Sequence, residues 1–196
     1  MFTSFLQQHH TIIVILHALV GAVGVGSAVV LDLLFFYFLK DFKISQSENK
    51  IASLLSNMFI ITLSALYITG LLLFLSNPEL YGTSTKFLTK VAVVLVLSIN
   101  GLFLHNYISP RMRALNFQKY NPEKKFLHTL AFAAGSISIA SWVIAYVLGT
   151  QKTIPFSLLE ALMIYAGIVL IGILVSLFTL QYMKKQGALQ SNSKEK

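Results

Sequence analysis

The 196-residue sequence contains no cysteine. Disulfides, thiolate metal sites and cysteine nucleophiles are therefore excluded. Charge is scarce too. Asp, Glu, Lys and Arg make up 11% of the chain, where a soluble domain carries about 25%. Proline is confined to the edges of long apolar stretches. Asn77-Pro78 marks a turn, Pro110 closes one stretch, and Pro155 opens another at a favoured first helical position. Familiar catalytic patterns are missing: there is no Gly-rich phosphate loop, no HExxH, no GxSxG and no nucleophile beside an obvious base.

Hydrophobic residues supply 56% of the chain, and the mean hydropathy is +0.73. They gather in five runs, at about 11–39, 51–75, 87–108, 126–148 and 156–182. A helix of about 20 apolar residues crosses roughly 30 Å of hydrocarbon. Within lipid a single segment satisfies its backbone only by closing its own helical hydrogen bonds. The sequence thus predicts an all-α membrane protein, a bundle of five transmembrane helices filling residues 1–183. A polar and disordered tail is expected at 184–196. The first run is too long to stand perpendicular, so it is expected either to tilt or to leave its start, at 3–11, in the interface. Five spans do not divide into two equal halves, which argues against an inverted-repeat transporter.

The formal net charge of +8 is spread unevenly. Twelve of the fifteen Lys and Arg residues fall after the first run, between the third and fourth, or after the fifth. Only Lys86, Lys90 and Lys152 lie on the other side. The positive-inside rule then places the N-terminus outside and the C-terminus in the cytoplasm. No separate basic domain exists to bind nucleic acid. No Lys or Arg precedes Lys40, so the first span is expected to act as an uncleaved insertion signal. The expected partner is the lipid bilayer, with a membrane-protein partner or a second copy of the chain also open.

Ionisable residues inside a span are costly and are candidates for function. In the first run, His17, Gly21, Gly24, Ala28 and Asp32 recur at intervals of four, three, four and four, which puts them on one helix face. Small residues there admit another helix or a flat ligand. His17, Lys90 and Glu160 are expected at similar depth near the outer surface, with Met163 one turn beyond Glu160. Two readings compete: a ligand or metal pocket, or a Lys90–Glu160 ion pair with His17 beside it. His9 and His10 are candidates to join His17 around copper or zinc, since imidazole suits both; a solvated terminus is the plainer reading. Toward the cytoplasm lie Asp32, His105 and His128. They read either as an inner haem or proton site, or as headgroup-level histidines with Asp32 paired to a cytoplasmic Arg or to His105.

One stretch carries a resemblance. Thr69-Gly70 is followed by KFLTKVAVVLVLSINGLFLHNYISPRM, with Lys90, then Asn100 ten residues later and Pro110 ten beyond that. With the histidine and small residues of the first span, this resembles the CopD family of bacterial inner-membrane copper-resistance proteins. The similarity covers about half the chain. It implies a non-enzymatic protein of the bacterial cytoplasmic membrane, handling copper or a related ligand at the outer face, and by matching positions it points to His17, Lys90 and Asn100. The chain departs from that pattern in its few methionines. It also resembles, more weakly, the haem-associated membrane proteins that oxidise protoporphyrinogen. That resemblance implies a porphyrin or haem b at His17, beside which Gly21 and Gly24 leave clearance for a flat macrocycle. A structural or assembly subunit without any ligand is the third reading.

Overall fold

A computed structural model describes residues 2–38, 46–114 and 122–194, and every regular element among them is helical. Helix α1 (Phe2–Gln8) is short and α2 (His10–Phe38) is the first span. Helix α3 (Gln46–Ser76) is the second span, and α4 (Pro78–Thr83) a single turn and a half after it. The third span is α5 (Thr85–Phe103), a π-helical turn at Leu104–Ile108, and α6 (Ser109–Ala114). Helices α7 (Pro122–Thr150) and α8 (Leu158–Lys194) are the fourth and fifth. Five of these stretches are long and apolar enough to cross a membrane: His10–Leu31, Lys50–Ser76, Thr85–Arg111, Phe126–Thr150 and Leu158–Tyr182. The five-helix bundle read from the apolar runs is therefore the fold.

The boundaries depart from the sequence reading in three places. The third span does not stop before Pro110. Proline lacks an N–H and crowds the carbonyl four residues back. The π turn immediately before it absorbs that mismatch, so the helix passes through. The fifth span begins not at Pro155 but at Leu158, because Ser157 caps it: Glu160 N–H donates to Ser157 Oγ at 3.4 Å. The segment expected to be disordered is instead helical as far as Lys194. Its Lys, Gln, Ala and Leu residues are good helix formers, and lengthening an existing helix needs no new nucleus.

Helix α7 is the hub. It packs against α2, α5 and α8, while α3 lies along α2. Three apolar clusters fill the contacts. Ala28, Phe59, Leu63, Leu97 and Trp142 join α2, α3, α5 and α7 at the centre. Val93, Ala145, Leu148 and Tyr165 join α5, α7 and α8 toward the α4 end. Ile108, Leu127, Ala131, Phe132 and Leu180 close the opposite end. Two glycines make the central contact possible. A Cβ at Gly24 would overlap the Trp142 ring, and one at Gly101 would overlap Phe59. The perimeter is apolar, with Ile61, Ile99, Leu159 and Phe178 among its most exposed side chains. That is the surface a bilayer requires.

Hydrogen bonds knit the helices where lipid offers no apolar driving force between them. Asn100 Nδ2 donates to Ala134 O across α5 and α7 at 2.8 Å, fully buried. Tyr67 and Ser98 hydroxyls meet at 2.8 Å, as do Ser141 and Tyr165. Replacing Asn100 with leucine is expected to cost about 0.5–2 kcal/mol, the range measured for such bonds between membrane helices. Reversible unfolding in mixed micelles checks this; a stability gain would show that the bond contributes nothing.

Candidate functional site

The site lies near the α4 end, among α2, α3, α5 and α7. His17 and Lys90 each sit five to seven residues in from the start of their spans, about 7–10 Å along the axis at 1.5 Å per residue. Lys90 Nζ donates to His17 Nε2 at 3.3 Å. On its other side, His17 Nδ1 meets Thr69 Oγ1 at 2.8 Å. Thr69 gives its own proton to Ala65 O at 2.7 Å, within its helix. The directions then follow. A hydroxyl that has donated to a carbonyl can only accept from imidazole, so Nδ1 carries the proton and Nε2 presents its lone pair to Lys90. The result is one relay, Lys90 to His17 to Thr69 to Ala65, spanning three helices.

Two glycines flank the relay. A Cβ at Gly70 would stand 3.6 Å from His17 Cε1, and one at Gly149 would stand 3.5 Å from Lys90 Nζ. Bare backbone therefore borders both the imidazole and the amine, and Gly149 itself is exposed. Lys86, one turn before Lys90, donates to Gln151 O at 2.8 Å, just beyond the end of α7. There the partial negative charge of the helix terminus favours a cation.

The outer-layer reading is thus half right. His17 and Lys90 meet, but Glu160 does not join them. Its carboxylate accepts from both the backbone N–H and the hydroxyl of Ser157, each at 2.8 Å, and it is exposed. The expected Lys90–Glu160 ion pair is replaced by a capping box at the start of α8. The Ser157-x-x-Glu160 pattern was the signal for it. Met163 is exposed on α8.

The three N-terminal histidines do not converge either. His9 Nδ1 bonds Phe5 O at 2.9 Å within the N-terminal segment. His10 Nε2 bonds the Tyr81 hydroxyl of α4 at 2.9 Å. Burial raises the Tyr81 phenol above its ordinary pKa, so it stays protonated through the neutral range. Among the described residues no three His, Asp or Glu side chains gather as a metal would need. The flat-ligand space beside His17 is also taken. Leu66 lies against Gly21 and the Trp142 ring against Gly24, so side chains already occupy the clearance on that face. A tryptophan, itself a flat ring, uses the clearance that the small residues leave.

At the opposite end, His105 Nδ1 pairs with Ser56 Oγ at 2.7 Å. His128 is buried on α7. The side chain of Asp32 lies outside the described residues, and with it the expected Asp32–His105 bond. Sequence reasoning passed over Thr69 as a partner of His17, although its place at the end of span 2, beside Gly70, matched the depth of His17. It also left Trp142 without a role, although it is the chain's one tryptophan.

Comparison with known protein families, curated proteins and solved structures found no match to this chain.

Proposed function

We propose that the chain is a CopD-like integral membrane protein that handles a small ligand at the Lys90–His17–Thr69 relay, without enzymatic chemistry of its own. The observation that carries this reading is a lysine held inside a membrane bundle by a neutral imidazole. Such a group is expensive in lipid and is retained where it serves a pathway or a ligand. The positive-inside asymmetry supports a site opening outward, away from the cytoplasm of a bacterium. Single cysteines at Gly82 and Gln151 should then label from outside intact cells, while one at Gln118, outside the described residues, should not. Labelling at Gln118 alone would reverse the orientation.

Copper and a porphyrin are the ligands the family resemblances imply. Copper would have to displace Lys90 from Nε2 and find further donors. A haem would have to displace Trp142 from Gly24. The test is to extract the protein in native-membrane discs and measure metal content, visible absorption and intact mass. A bound species that disappears in His17→Ala supports the reading. If the wild type holds none and takes up neither copper, haem nor an oxyanion when these are added, the bundle is a ligand-free structural subunit instead.

A further inference from the structure

We propose that the seam between α3 and α5 is a gate: the α2–α3 pair swings on α4 and parts from α5 at the end of the bundle remote from the relay. The bundle is built as two groups. Helix α3 packs along α2, α5 and α8 pack on α7, and α2 meets α7 between the groups. The backbones of α3 and α5 do not run packed side by side. The chain passes from one group to the other only through α4. That link has the make-up of a hinge. Asn77 and Ser84, on either side of it, are both non-helical, and none of its residues is buried.

The bonds that close the seam are polar and lie progressively further from α4. Lys90–His17 joins the two groups near the hinge. Next, the Tyr67 and Ser98 hydroxyls meet at 2.8 Å, and beyond them Ser56 Oγ meets His105 Nδ1 at 2.7 Å. Ser56 and His105 stand about 30 Å along the axis from the α4 ends of their spans, at Ser76 and Thr85. Between these two bonds Phe59 fills the space beside Gly101. Lipid tails offer Phe59 much the same apolar surroundings, so the hydrogen bonds set much of the balance. Both are easily given up. Ser98 already donates to Val94 O at 2.6 Å, so it is not stranded when Tyr67 leaves. His105 lies in the π turn, where α5 already departs from regular helical register, a feature that recurs at functional sites. With the relay opening outward, such a gate supplies the second approach that a passage through the bundle needs. The gate stands on the geometry alone and is tested without a ligand.

The chain has no cysteine, so introduced pairs carry the only spin labels. Leu54→Cys with Leu102→Cys labels exposed positions of α3 and α5 at the far end, and Leu71→Cys with Leu88→Cys does so near α4. Leu102→Cys with Leu174→Cys spans α5 and α8, within one group. Pulsed electron double resonance on the whole protein in lipid discs reads each distance, with and without Ser56→Ala plus Tyr67→Phe. Each of these changes removes one hydroxyl and leaves the packing. A swing of about 10° on α4 lengthens the far distance by about 5 Å. We expect the longer population at the far pair to grow roughly threefold for each bond removed, while the other two pairs hold their distances. A far pair with no longer population in the double variant overturns the gate. Equal broadening of all three pairs overturns it too, since the bundle has then merely loosened. Either failure leaves ligand binding at the relay, read by His17→Ala, untouched.

Discussion

Gly24→Leu is expected to prevent formation of the native bundle, whereas Gly26→Leu, two residues along the same helix, is expected to be nearly silent. A side chain at Gly24 must enter space held by Trp142, which is 2% exposed and boxed in by Phe59, Leu63 and Leu97. Nothing stands within 4 Å of a Cβ at Gly26, which faces outward. Overpacking a filled interior costs about 1–3 kcal/mol for added methylenes, and leucine adds three carbons beyond the first overlapping one. The loss should exceed 3 kcal/mol. Pairing Gly24→Leu with Trp142→Ala should recover part of it, since the smaller residue opens the space the leucine needs. Unfolding in mixed micelles reads all three variants. Equal stability at positions 24 and 26 would show that α2 and α7 do not meet as described.

The second large effect concerns Lys90. His17→Leu should destabilise the bundle by about 2–3 kcal/mol, because it strands an ammonium whose hydrogen bond to imidazole has gone. Adding Lys90→Met should restore most of that loss. Removing both polar partners together is often nearly neutral, while removing one leaves an uncompensated buried group. The double variant should therefore be more stable than His17→Leu alone, and it should bind no ligand. If the two changes simply add, Lys90 does not depend on His17 and the relay is a coincidence of packing.

How much of this was legible beforehand follows from what each signal encodes. Five spans were plain because hydrocarbon thickness fixes the length of an apolar run. The shared depth of His17 and Lys90 was legible from counting residues inward from the charged ends. Their partners were not. Counting gives depth but not which helices are neighbours, so Glu160 was placed in the same layer although its own helix start claims it through Ser157. The small-residue face of α2 was read correctly as a place of close approach. What approaches it is a tryptophan 118 residues further along the chain, at position 142. Pairings over such separations leave no local trace in one sequence. Pro110 misled for another reason: a π turn is invisible to propensity, yet it lets the helix continue.

The central claim is that His17 is a neutral, Nδ1-protonated imidazole accepting a hydrogen bond from Lys90. Solid-state ¹⁵N NMR of histidine-labelled protein in bilayers, with the His17 signals assigned by their loss in His17→Ala, measures this directly. The account predicts one protonated nitrogen, at Nδ1, and an Nε2 resonance that shifts when Lys90 is replaced by methionine. An Nε2-protonated or doubly protonated ring in the wild type, or spectra unchanged by Lys90→Met, would contradict it.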